Sequence, residues 1–163
     1  MVLFKNTQTL AKISARAAKR DIRQLLLFSG YKDWDLGVHL TGDRFIRKLN
    51  REYRDKDKPT DILSFPFHQA ITPGNLDLPE YMTEDDRNLG DMIISVAYVL
   101  RHCKDNKITL QERLPVLYTH GICHLLGYDH ETDTEYELMS KKEEEILKQF
   151  WEWKKTENGE KIS

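Results

Sequence analysis

Residues 120–130 read His-Gly-Ile-Cys-His-Leu-Leu-Gly-Tyr-Asp-His, and no other stretch restricts the fold of this chain as tightly. His120 and His124 are four apart, so on a helix their imidazoles leave one face about a turn from each other. Gly127 can take a left-handed conformation and end that helix. The reversal brings His130 back toward the pair. Three neutral imidazoles at roughly 2.0 Å would hold one metal and leave a fourth tetrahedral position open for water. A lone helical histidine is ordinarily a surface or core residue. Three of the chain's six histidines within one such run, with a glycine stop between them, point instead to a metal centre. Zinc suits nitrogen ligation in an open site, so one Zn(2+) per chain is expected, with the pKa of a bound water lowered toward about 7.

The spacing equals that of the metzincin proteases, His-Glu-x-x-His-x-x-Gly-x-x-His. The departure is Gly121, which stands where a zinc protease carries its general-base glutamate. The metal cage is kept and the peptidase base is missing, so a protease reading is disfavoured.

Around this run the chain reads as a mixture of strands and helices. Val2, Leu3 and Phe4 suggest a short first strand. A helix is expected from about Thr9 to Phe28, with Leu10, Ile13, Ala17 and Leu25 on one face, ending at Ser29-Gly30. Trp34, Leu36, Val38 and Leu40 alternate with polar residues, as in a half-buried strand. Gly42-Asp43 opens a second helix with Phe45, Ile46, Leu49 and Tyr53 as its stripe. Ile62–Phe67 is a third strand, and Pro66 puts it at an edge or at its own end. Residues 68–88 read as a long surface loop, functional or mobile. Met92-Ile93-Ile94 forms a fourth strand, followed by a helix from Val96 to Lys104. Thr109 and Glu112 make a capping box for the helix that carries the histidines, in which Pro115 should introduce a kink. A last helix runs from near Asp133 to about Lys154, with Tyr136, Met139, Ile146, Phe150 and Trp153 on one face. The elements lack a strict strand–helix–strand rhythm, so the fold class is α+β. Residues 1–155 are expected to form one domain and 156–163 a polar tail.

Composition narrows the function classes. Of 163 residues, 39% are hydrophobic and 32% charged, which fits a globular chain and is too apolar for a disordered one. No apolar run approaches the ~18 residues of a membrane span, so no membrane partner is expected. Two cysteines make no disulfide framework. The first 23 residues hold six basic residues against Asp21. That composition matches a mitochondrial presequence, but the apolar face within it reads more simply as a helix integral to the core.

The motif His-Gly-x-x-His-Leu-Leu-Gly-Tyr-Asp-His resembles the signature of the YbeY-type endoribonucleases. Two further blocks carry the likeness. One is Leu49-Asn50, Tyr53-Arg54 and Lys58-Pro59-Thr60-Asp61-Ile62-Leu63-Ser64-Phe65-Pro66; the other is Leu89-Gly90-Asp91 before an apolar strand. The resemblance spans most of residues 35–150. It implies a small mixed four-stranded sheet with about five helices and a zincin-like metal site. It implies that His120, His124 and His130 bind the metal, usually zinc, and that Arg54 is needed for activity. The implied function is single-strand-directed cleavage of RNA in ribosomal RNA maturation and ribosome assembly or quality control. The implied partners are ribosomal RNA and the small ribosomal subunit or its proteins. The alternative is a non-catalytic ribosome-assembly or RNA-binding factor with a structural zinc, which a fourth protein ligand such as Cys123 or Asp129 would favour. The compartment implied is the mitochondrion, with the cytoplasm as the alternative.

The residues support an RNA substrate independently. Residues 44–58 carry seven basic side chains against three acidic ones. Phosphodiester cleavage needs cations near the scissile phosphate, and the guanidinium fork of Arg54 matches phosphate oxygens. Arg51, Lys58, Thr60, Ser64 and Asp91 are candidate substrate-binding groups. Asp129 either orients a ligand imidazole or is a turn residue. The acids from Glu131 to Glu145 read as a solvated face and a helix start.

Overall fold

The computed structural model describes the backbone of residues 1–162 and the side chains of residues 1–157. Strands β1 (Val2–Asn6), β2 (Asp35–Thr41), β3 (Ile62–Pro66) and β6 (Asn88–Ser95) form one sheet in the order β1-β2-β6-β3. The first three in that order run parallel, and β3 is antiparallel to β6. A two-stranded ribbon, β4 (Ala70–Thr72) with β5 (Asn75–Leu76), stands apart from it. The helices are α1 (Ala15–Phe28), α2 (Asp43–Arg54), α3 (Val96–Asn106), α4 (Leu110–Leu125) and α5 (Asp133–Ile162). This is the expected α+β arrangement of a mixed four-stranded sheet with five helices.

Parity along the strands decides which face is core. Val2, Leu36, Val38, Leu40, Met92 and Ile94 lie on one face and are buried with Ile22, Leu25, Leu117, Ile122, Ile146 and Phe150 from α1, α4 and α5. Pro66 ends β3 at the sheet's edge, where its missing N–H breaks no ladder.

Gly121 explains how α4 sits so close to this face. A Cβ there would collide with Met92 and Ile62. The position that holds a glutamate in a zinc protease points here into the sheet, where a carboxylate would be both crowded and desolvated.

Several elements differ from expectation. Helix α1 starts at Ala15, because Ser14 caps it by accepting from the Ala17 N–H. Residues 9–13 lie outside the helix, and Leu10 is exposed. On α2 only Ile46 and Asn50 are buried, while Phe45 and Tyr53 face solvent. The 68–88 stretch carries the β4–β5 ribbon and a 3-10 turn at Glu84–Asp86. The helix of α4 passes through Pro115 unbroken. Helix α5 runs on to Ile162, well past Lys154, so the expected tail is helical as far as its backbone is described. The side chains of the tail beyond Glu157, and Ser163 altogether, lie outside the described residues. Among the described residues, no helix is long and apolar enough to cross a membrane.

Candidate metal centre and cleft

The last turn of α4 and the turn after it set the three imidazoles. The helix closes with two backbone bonds, Gly127 N–H to His124 O at 3.0 Å and Tyr128 N–H to Cys123 O at 3.0 Å. This is the Schellman closure, and it requires the φ of +92° that Gly127 adopts. The chain then turns through Asp129, whose Oδ1 accepts the His130 N–H at 2.8 Å. Asp129 thus serves as a turn residue. The ligand atoms offered by His120, His124 and His130 all lie within 4.8 Å of one another.

Hydrogen bonds settle which nitrogens are available. His124 Nδ1 lies 3.0 Å from Tyr128 O, and a carbonyl only accepts, so Nδ1 carries the proton. His120 Nδ1 lies 3.2 Å from the Glu143 carboxylate, and the same logic applies. With both rings in the neutral form that metal ligation requires, each Nε2 holds a lone pair, and the two atoms face each other at 3.1 Å. Two lone pairs at that distance repel unless a cation lies between them. Two ligands at 2.0–2.1 Å in a tetrahedron are about 3.3 Å apart, so the pair fits a metal. The carboxylate behind one ligand and the carbonyl behind the other are the usual outer partners of metal-bound histidines. Burial, and next the neighbouring His120, push the His124 pKa down to about 4. The imidazole stays neutral, as ligation needs.

Cys123 Sγ does not join the cluster of ligand atoms that the three histidines form. It is fully buried, and burial pushes its thiol up to about 12, so it is packed as a neutral side chain. Asp129, Glu131 and Glu135 form a separate acidic group. Glu135 belongs to a capping box: its carboxylate accepts the Thr132 N–H, and Thr132 Oγ1 accepts the Glu135 N–H. The helix-start reading of these acids holds there, but Glu143 turns inward to His120.

The histidines line a cleft of about 760 Å³ together with Arg54, Lys56, Lys58, Thr60, Ser64 and Tyr98 among others. Arg54 is the final residue of α2, and the chain leaves it through Asp55 at a φ of +56°. Its Nη2 donates to Ser64 O at 3.2 Å. Ser64 Oγ is buried and has no protein partner. Thr60 Oγ1 donates to Asp61 at 3.3 Å. Arg51 and Asp91 lie outside this cleft. Met92 faces α4, so Asp91 points to the opposite side of the sheet, where its carboxylate covers Gly37.

Glu143 and the β4–β5 ribbon were not expected at the site. The ribbon braces the turn that carries His130. Gly74 N–H donates to Leu126 O at 2.9 Å. Added Cβ atoms at Gly74 and Gly127 would strike Tyr128 and Ala70, so turn and ribbon touch closely. The glycine at Gly74, with a φ of +81°, was the available signal for a hairpin there. Nothing local marks Glu143.

This fold and cleft define an α+β protein with a three-histidine centre beside a basic wall. The model of the family described as endoribonuclease YbeY matches residues 3–151. The chain is 36% identical to the human endoribonuclease YbeY over 146 residues, which is 90% of this chain and 86% of that protein. Against the Geobacter metallireducens endoribonuclease YbeY it is 37% identical over 148 residues, 90% of this chain and 93% of that one. An Arabidopsis thaliana relative named as a chloroplastic endoribonuclease is 37% identical over 139 residues, 85% of this chain and 22% of that protein. A solution structure from Thermotoga maritima shares the fold, with a TM-score of 0.55 and 22% identity over 96% of this chain and 93% of that one. The chain belongs to the endoribonuclease YbeY family.

Proposed function

We propose that this chain is a metal-dependent endoribonuclease acting on single-stranded RNA in ribosomal RNA maturation. The observation that carries the reading is the convergence of the three histidines, with two Nε2 atoms face to face, in a cleft that also holds Arg54. His120, His124 and His130 would hold the metal, and zinc fits their nitrogen set. When bound, the metal supplies Lewis acidity toward a phosphate oxygen and acidifies a water. Glu143 and Tyr128 O keep Nδ1 of two ligands protonated, so Nε2 stays turned to the cleft. Arg54 places a permanent cation beside the developing charge of the reacting phosphate. Its bond to Ser64 O aims the guanidinium and leaves further N–H donors free. Ser64 Oγ offers a buried, unpaired hydroxyl, which is costly unless a ligand or water meets it. Lys58 and Thr60 extend the polar wall toward the flanking backbone. Arg51 and Asp91 would act on parts of the RNA, or on a partner, beyond the cleft.

The non-catalytic alternative required a fourth protein ligand. Neither Cys123, which is packed away, nor Asp129 brings a ligand atom into the group formed by the three histidines, which supports an open, catalytic site. The proposed partner beyond RNA is the small ribosomal subunit or its proteins. The basic first segment supports a mitochondrial location, with the cytoplasm as the alternative. Helix α1 places Ile22, Leu25 and Leu26 in the core, so that location would be reached with the helix retained.

The test is cleavage of one RNA sequence, single-stranded and as a duplex, by protein of known metal content. Cleavage of the single strand should vanish on chelation and return with zinc. Cleavage indifferent to chelator would end the metal-dependent reading.

A further inference from the structure

Among the cleft groups that the proposed reaction leaves unused is an exposed aromatic ring. Tyr98, on the first turn of α3, lines the same cleft as the histidines and Arg54 and is 36% exposed. Its neighbours Val96 and Val99 are buried, so helix packing does not need the ring.

The ring is nevertheless held in place. The Tyr98 backbone N–H donates to Ser95 Oγ at 3.3 Å. The Arg101 guanidinium lies over the ring, 5.2 Å from its centroid. Arg101 is itself fixed, with Nη1 2.7 Å from Asp43 Oδ2, while Asp43 Oδ1 accepts from Ser95 Oγ at 2.7 Å. These contacts tie the starts of α2 and α3 to the end of β6. Arg101 is thus held by Asp43 and lies over one side of a ring that also borders the cleft.

The other tyrosine of the cleft, Tyr128, is part of the turn and packs its hydroxyl against Gly74. The cations Arg54, Lys56 and Lys58 suit phosphates, and the Arg54 guanidinium is already aimed by its bond to Ser64 O. An RNA strand brings a base with every phosphate. Unpaired bases are received on aromatic side chains, and stacking there tolerates any base because each has a π-face. A base within a duplex is already stacked and cannot be received in this way.

The geometry points to Tyr98 as the stacking platform for one unpaired nucleobase of the substrate, backed by Arg101. This rests on the endoribonuclease reading and gives it a source of single-strand preference.

The experiment compares wild type, Tyr98→Leu and Tyr98→Phe, all loaded with zinc to equal content. Each cleaves a short single-stranded RNA and a series carrying one abasic position at a time. Tyr98→Leu should lower kcat/KM by the roughly 5- to 150-fold that one base–aromatic stack is worth. Tyr98→Phe should stay within about twofold, because the π-face is retained. One abasic position should cost wild type a similar factor and cost Tyr98→Leu nothing more. Tyr98→Leu should also narrow the preference for single strand over duplex. If Tyr98→Leu matches wild type, or if every abasic position costs both proteins equally, Tyr98 receives no base and the endoribonuclease reading stands without it. If the wild type cleaves none of the RNAs, both readings fall together.

Discussion

The two walls of the cleft are built in opposite ways. The histidine wall is restrained at each step. A Schellman closure fixes the end of α4, Glu143 and Tyr128 O hold two of the imidazoles, and the β4–β5 ribbon supports the turn. The basic wall is open. Arg54, Lys56 and Lys58 are exposed, and Arg54 is aimed by one bond to Ser64 O. The difference suits the ligand proposed for each. A metal ion accepts little error in distance and angle, so its ligands are set before it arrives. A flexible phosphate backbone is attracted over several ångströms, so exposed cations serve and rigidity gains little. The histidine wall should therefore lose metal and activity together when damaged, whereas the basic wall should lose activity alone.

The largest effect is expected from His124→Ala. It removes one of the two facing nitrogens, and both zinc content and RNA cleavage should fall to background, checked by metal analysis and by the cleavage assay. Next is Arg54→Lys, which keeps the charge and loses the fork. Loss of one charge-stabilising contact costs about 10²–10³ in rate, so this variant should slow at least about tenfold in kcat while keeping its zinc. Glu143→Gln blurs the walls' separation in an instructive way. An amide can offer its NH₂ or its oxygen to His120, but without a charge to favour Nδ1–H. Removing an outer partner of this kind typically costs 10- to 100-fold in metal affinity, readable by competition with a zinc chelator.

Smaller effects sharpen the comparison. Lys58→Ala should leave zinc affinity unchanged and reduce the dependence of log affinity for single-stranded RNA on log salt by about 0.7 if it meets one phosphate. The smallest effect lies outside both walls. A hydrogen bond from Arg101, assisted by one from Ser95, holds the Asp43 carboxyl below its usual range. A folded-state pKa that is depressed adds stability above the ordinary carboxylate pKa and loses it as pH falls. The Tm of Asp43→Asn should thus lie below wild type at neutral pH, and the gap should shrink below about pH 4.

The histidine centre was legible because its donors lie within one helix end and turn. The spacing of His120 and His124 and the glycine at 127 carry the geometry locally. Glu143 was not legible, since it is 23 residues from His120 and reaches it only because α5 packs along α4. Among the strands, the alternation of Leu36, Val38 and Leu40 gave β2 its face, and Pro66 marked the edge. The β4–β5 ribbon has the sequence of a loop, because strands of three and two residues show no period. Leu10 and Ile13 fitted a helical stripe, but the cap at Ser14 decided where α1 begins. The apolar positions Phe45 and Tyr53 fit an inward stripe, yet Ile46 and Asn50 alone are fully buried on α2. Tyr53 instead meets Phe65 at a ring distance of 5.3 Å on the sheet's other face. Tyr98 had no sequence signal, because its exposure depends on how α3 leaves β6.

The central claim is that the two walls do separable jobs, and the most direct measurement is zinc stoichiometry beside single-turnover RNA cleavage for Arg54→Lys and His124→Ala. The account predicts about one zinc per chain and slow cleavage for Arg54→Lys, against background zinc and background cleavage for His124→Ala. An Arg54→Lys protein that loses its zinc, or a His124→Ala protein that keeps full zinc and wild-type cleavage, would contradict it.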